Sequence, residues 1–330
     1  MATLYIDRRD VSLHIEHGSV AVRLNGELLQ RVPLNLLERV VVSGDASLST
    51  RLLQALAEAK IGVILVDPRN TSRYATVWGR LGSDASRRLE QLKRFNDESW
   101  RTAWAIRLLR AKFRGYRRVI GKAMSGHRVD EHALAAAADS IDRAIAMLDD
   151  PRRTDRNWLM GLEGAATASY FKAYQKLFAP SLQFHGRNRR PPRDPVNVLL
   201  SLTYTLLHHT AVREVLSAGL DPYLGYFHEP AFGRESLACD LVEPVRGSAD
   251  EFVRRLFGDG VLRPEHFQRK GERCLLGKTG RQRYYLEFAA FSLRPQRMLR
   301  RVSRLLARSL SSKRADQPAL EFENEEELIP

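Results

Sequence analysis

At 330 residues, 44% of them hydrophobic, the chain is long enough to bury a sizeable core and favours two domains over one. Its formal net charge of +14 points to a polyanionic partner, either nucleic acid or an anionic membrane. No run approaches the roughly 20 apolar residues of a membrane span, and the opening residues lack the basic start and apolar stretch of a signal peptide. Two cysteines, Cys239 and Cys274, cannot build a disulfide framework, a four-cysteine zinc site or an iron–sulfur cluster, so a cytoplasmic home is expected.

The first 80 or so residues read as strands: LYID (4–7), VSLHIE (11–16) and VAVRL (20–24) alternate or run β-branched. Asn25-Gly26 is a hairpin signal between VAVRL and ELLQRVPL. ERVVVSG (38–44) has the pattern of a buried strand. Ser49 or Thr50 caps a short helix, RLLQALAEAK, and GVILVD (62–67) and RYATVW (73–78) complete the set. After about residue 85 the pattern turns helical, with candidate helices over 87–122, 130–149, 155–178 and 196–218 and a break at Pro191-Pro192. The expected class is α+β. A small N-terminal β domain with one helix (1–85) precedes a larger, mainly α-helical domain (86–314), and the acidic tail (315–330) reads as disordered.

Residues 263–314 hold fifteen Lys and Arg against three acids, Glu265, Glu272 and Glu287. Within this segment Arg297, Arg301, Arg304 and Arg308 share one helical face, opposite Met298, Leu299, Val302, Leu305 and Leu306. That pattern suits a solvated face over a core stripe and equally suits a track for phosphates. Arg187, Arg189, Arg190 and Arg193 form a basic loop open to the same two readings. LGKT (276–279) is not a phosphate loop, because the preceding Gly271 stands one residue too far away. Trp100, Trp104 and Trp158 fall in helical patterns as core residues, and the adjacent His208 and His209 point about 100° apart, as packing or DNA-contact residues would.

Two stretches carry the chemistry. Glu163 lies in the apolar run WLMGLEGAATASYF, between Gly161 and Gly164. A carboxylate there needs a partner or a cation unless it sits on the exposed side of the helix, and small neighbours would admit a phosphate backbone. In GYFHEPAFGRESLACDLVEPVR, His228, Asp240 and Glu243 are spaced by 12 and 3, and the last two share a face if DLVE is helical. An imidazole with carboxylates suits Mg²⁺ or Mn²⁺, although spacing alone leaves open an ordinary Pro-flanked loop.

The same stretches resemble the integrase family of the CRISPR spacer-acquisition machinery, the larger (first-numbered Cas) protein of the adaptation complex. The second follows that family's G-x-x-H-E and S-L-A-x-D-L-x-E-P-x-R form through Gly225, His228, Glu229, Ser236, Leu237, Ala238, Asp240, Leu241, Glu243, Pro244 and Arg246. In the first, Leu159, Met160, Gly161, Glu163, Gly164, Ala165, Ala166, Tyr170 and Phe171 match, and Asn197 and Tyr204 match in the segment between. The resemblance covers roughly residues 3–305. It implies that Glu163, His228 and Glu243 are ligands of a catalytic Mg²⁺ or Mn²⁺, and that Asp240 supports catalysis or a second cation. It further implies metal-dependent cleavage of nucleic acid and the joining of short double-stranded DNA segments into a CRISPR array, by attack of a 3′-hydroxyl on a phosphodiester. A homodimer through the β domain and a small ferredoxin-like partner, the second-numbered Cas protein, follow from the same likeness. Expected DNA contacts are Arg187, Arg189, Arg190, Arg246, Arg297, Arg301, Arg304 and Arg308. A non-catalytic, basic architectural nucleic-acid binder is the competing reading.

Overall fold

A computed structural model describes residues 2–67, 74–79, 85–125, 130–150, 155–188 and 191–311. The acidic tail, Arg189 and Arg190 lie outside the described residues. The chain divides into two units, 1–81 with 265–290, and 82–264 with 291–330. The single boundary expected at residue 85 is therefore replaced by a discontinuous first unit.

In the first unit, β1 (Ala2–Ile6), β2 (Val11–Glu16), β3 (Ser19–Leu24), β4 (Glu27–Pro33), β5 (Leu37–Val42), β6 (Ala46–Leu48), α1 (Thr50–Glu58), β7 (Gly62–Val66) and β8 (Tyr74–Val77) build two four-stranded sheets. One has the order β1-β5-β7-β8, with β1, β5 and β7 parallel, and the other the order β4-β3-β2-β6. The β3–β4 hairpin turns at Asn25 and Gly26, both at positive φ, as the Asn-Gly pair requires. Ser49 caps α1 by accepting from the Leu52 amide at 3.3 Å. All six residues of β5 are buried, as a strand covered on both faces demands. Leu4, Val20, Leu13, Val40, Leu52 and Val63 are among those that fill the core.

The segment expected to extend the helical domain instead begins with a hairpin, β9 (Phe267–Lys270) and β10 (Arg273–Leu276), followed by α9 (Lys278–Phe291). The Tyr285 ring of α9 stacks on Tyr5 of β1 at 4.4 Å, which gives this segment its apolar anchor in the first unit. The β domain thus holds two helices among the described residues. The basic run over 263–314 is not one element but is shared between the units.

The second unit is helical: α2 (Ala85–Phe95), α3 (Glu98–Met124), α4 (Glu131–Met147), α5 (Arg156–Tyr174), α6 (Pro195–Ser217), α7 (Ser236–Val242), α8 (Arg246–Gly258) and α10 (Leu293–Ser311). The helix expected over 87–122 is two, because Asp97 leaves helical geometry and caps α3 by accepting from the Trp100 amide at 3.0 Å. α6 is buried nearly all round, and its sequence shows no separate apolar and polar faces for that reason. No described helix is long and apolar enough to cross a membrane. Trp100 and Trp104 are core, stacked on each other and set edge-on to Tyr226.

α3 runs through the middle of this unit, and α8 crosses it at Gly115 and Gly247. A Cβ on Gly247 would come within 2.6 Å of the Gly115 backbone, so the crossing tolerates only hydrogen there. Gly247→Val is therefore expected to lose about 1–3 kcal/mol by forcing the helices apart. Denaturant unfolding measures this, and an unchanged midpoint would refute the tight crossing.

Candidate functional site

Three elements of the second unit bring charged side chains to one place. α3 contributes Lys112, α5 contributes Glu163, and a 3-10 turn (Glu243–Val245) between α7 and α8 contributes Glu243, with Arg246 opening α8. The Gly115–Gly247 crossing lies one turn along α3 from Lys112, and so it sets how closely Lys112 meets Glu243. The Lys112 ammonium pairs with Glu163 Oε1 and lies 2.6 Å from Glu243 Oε2. Both Lys112 and Glu243 are only 3% exposed, whereas Glu163 is 25% exposed and also accepts from the Thr167 hydroxyl at 2.9 Å.

Arg246 Nε stands 3.0 Å from the other Glu243 oxygen, and its guanidinium lies over the Tyr204 ring at 4.7 Å. Burial pushes the Glu243 carboxyl up, but the charges of Arg246, Lys112 and His228 overcome it and bring it down to about 2. Gly161 and Gly164 face open space beside Glu163, which leaves that side of α5 accessible to a bulky anion.

His228 is placed by a loop that the structure holds along its length. Asp240, fully buried in α7, accepts from the Tyr226 and Phe227 amides on one oxygen, at 2.7 and 3.0 Å. Its other oxygen meets the His228 amide at 2.9 Å and His228 Nδ1 at 2.7 Å. A carboxylate only accepts, so Nδ1 carries the hydrogen, and Nε2 is the ring nitrogen turned away from this pair. From outside the loop, Gln91 donates to the Asp221 and Leu224 carbonyls, Arg101 to Tyr226 and Arg156 to Phe227. Gly225 fits beneath because a Cβ there would meet His228 O and Ser236 at about 2.6 Å. Both oxygens of Asp240, expected to support catalysis or a second cation, are engaged by the loop amides and the His228 ring.

Glu163, His228 and Glu243 do not close around a common point. Among the described residues no three His, Cys, Asp or Glu side chains form a group able to hold a metal ion. The reason is local: the two glutamates converge on the Lys112 ammonium, and His228 is turned to Asp240. The donor set nonetheless fits a hard divalent cation. Two carboxylates already share one positive charge, and His228 Nε2 is left over from the pair with Asp240.

The expected DNA contacts fare unequally. Arg187 donates to Asn197, to the Asn188 carbonyl and to Ser201, and Arg246 meets Glu243 and the Tyr204 ring. Arg297, Arg301, Arg304 and Arg308 are exposed on α10, opposite buried Leu299, Val302 and Leu306. His208 pairs with Glu235 at 3.1 Å, and His209 is buried.

Sequence reading missed Lys112 and Asp250. Lys112 falls on the buried stripe of α3, at helical spacing from Trp104, Leu108, Tyr116 and Val119, and a charge on an apolar stripe was the available signal. Asp250 accepts the Tyr204 hydroxyl deep in α8, and burial pushes its carboxyl up to about 7 against the pull of that hydrogen bond and of Arg246. Such a group binds its proton more tightly in the folded chain. Its stabilising contribution is complete below about pH 4 and is lost as pH rises through 7. The melting temperature should therefore fall more between pH 5 and 8 in the wild type than in Asp250→Asn, and parallel profiles would refute the assignment.

Residues 4–290 match the family model described as CRISPR associated protein Cas1. A CRISPR-associated endonuclease Cas1 of Thermodesulfovibrio yellowstonii is 36% identical over 293 residues, covering 86% of this chain and 89% of the relative. One from Thermus thermophilus is 34% identical over 270 residues, covering 81% and 77%. Among solved structures, a Cas1 protein from Thermotoga maritima superposes with a TM-score of 0.81 at 21% identity, over 97% of this chain and 100% of the other. A casposase bound to integration product gives 0.82 at 21% identity, over 98% and 95%. A Cas1–DNA complex and Cas6-RT-Cas1–Cas2 complexes share the fold as well.

Proposed function

This chain belongs to the CRISPR-associated Cas1 family, and from that premise we propose that it is a divalent-metal-dependent DNA endonuclease and integrase that joins short DNA segments into a CRISPR array. The observation that carries the chemistry is the convergence of Glu163 and Glu243 on one cation-sized point, beside an imidazole whose orientation Asp240 fixes. Binding alone gives no use for two acidic side chains where phosphates would approach, and this argues against a purely architectural protein. Relatives named as endonucleases, and fold neighbours that hold DNA or an integration product, support the reading.

In this reading Glu163, Glu243 and His228 Nε2 would hold Mg²⁺ or Mn²⁺, which when bound would polarise a phosphoryl oxygen and stabilise charge developing on phosphorus. The remaining work falls to the chain itself. Arg246 keeps Glu243 ionised and fixed, Asp240 and the pinned loop hold the imidazole, and the open Gly161–Gly164 side of α5 admits the phosphate backbone. A donor 3′-hydroxyl attacks the target phosphodiester, one P–O bond forms as another breaks, and the proton leaves with the displaced 3′-oxygen. No nucleotide triphosphate is needed, because the number of phosphodiesters is unchanged. The exposed arginines of α10 supply sequence-independent phosphate contacts.

We assign a cytoplasmic location and two protein partners on the same premise. One is a second copy of the chain, for which the edge strand β4 offers Leu28 and Leu29, 43% and 48% exposed. The other is a Cas2-type protein, as in the complexes of the fold neighbours.

Glu163→Ala, His228→Ala and Glu243→Ala should each lower strand joining by at least about 100-fold, and Asp240→Asn by about 10–100-fold, with duplex binding little changed. Joining of labelled donor DNA to supercoiled target in Mn²⁺ measures this. Full activity in all three alanine variants would remove the site, and salt-sensitive binding without metal-dependent joining would favour the architectural reading.

A further inference from the structure

We propose that Lys112 is the site's own counter-cation, which holds Glu163 and Glu243 together until a divalent ion displaces it. The inference rests on the metal-dependent reading above and adds a competitor for the metal that belongs to the chain. A buried ammonium is stable only when paired, and Lys112 has both glutamates as its partners. The glutamates in turn need it. Arg246 satisfies only one oxygen of Glu243, and the Thr167 hydroxyl gives Glu163 a hydrogen bond but no charge.

The ammonium nitrogen stands where the two carboxylates converge, and a metal ion bound by both would stand in the same place. Oxygen ligands approach Mg²⁺ at about 2.0–2.1 Å, so ion and ammonium cannot share the position, and at close range like charges repel. Lysine is suited to yielding. Its charge is a compact point on a flexible four-carbon stem, unlike the planar fork of arginine. A ring is already at hand, since Nζ lies 5.6 Å from the centroid of Tyr116.

A resident competitor weakens metal binding by the fraction of time it leaves the site free. If Lys112 holds the carboxylates nine-tenths of the time or more, removing it should tighten binding by about tenfold or more. The test is Mn²⁺ titration of the full chain followed by electron paramagnetic resonance, on wild type, Lys112→Met and Lys112→Met/Glu163→Gln. Lys112→Met is expected to bind Mn²⁺ at least about tenfold more tightly, to melt lower than wild type without metal and to gain more from Mn²⁺. The double variant should lose that gain.

Equal or weaker Mn²⁺ binding by Lys112→Met overturns the proposal while leaving the metal site standing. Absence of Mn²⁺ binding in wild type and Lys112→Met alike overturns the metal reading, and the proposal with it. Should Lys112→Met not fold, amine methylation of the wild-type protein read by mass spectrometry decides the matter. Lys112 should be protected without metal and become reactive in saturating Mn²⁺, and protection that Mn²⁺ leaves unchanged overturns the proposal.

Discussion

Two positive and two negative charges share one partly buried space: the Lys112 ammonium, the Arg246 guanidinium, and the carboxylates of Glu163 and Glu243. Charges taken out of water are costly unless each is opposed at close range. The balance is met only when α3, α5 and the turn leading into α8 stand in one relative position. The knot thus does for these elements what shape does elsewhere in the core. The helix crossing at Gly115 and Gly247 is its steric counterpart, since a larger residue there would separate the opposed charges.

Around this centre the chain invests in holding a loop rather than in adding ligands. Asp240 turns three backbone amides and an imidazole toward itself. Gln91, Arg101 and Arg156, from three different helices, take the carbonyls of the same loop. Polar side chains committed in this way are costly to bury unless fully satisfied. The reward is a His228 ring whose tautomer and direction are set before any ligand arrives.

The positive charge of the chain is of two kinds. Arg187 and Arg246 are half-buried and engaged by partners within the second unit. Arg297, Arg301, Arg304 and Arg308 of α10 are exposed over a buried apolar stripe. Residues 265–290 of the basic segment belong to the first unit, anchored there by Tyr285 on Tyr5.

Local pattern by itself determined a good deal. The alternation of VSLHIE, the Asn25-Gly26 turn, the Ser49 cap and the apolar run of α6 follow from side-chain period and backbone preference over a few residues. The motifs likewise marked Glu163, His228, Asp240 and Glu243 as residues of interest. Tertiary structure alone decided what each of them meets. Asp240 became the orienter of His228 because an amide-lined loop wraps it. The glutamates met Lys112, rather than each other, because α3 passes between them, 51 and 131 residues away in sequence. The β9–β10 hairpin and α9 joined the first unit through a contact between Tyr5 and Tyr285. Pairings of this kind depend on which surfaces come together when the chain buries its apolar area, and no spacing along the sequence encodes that distance.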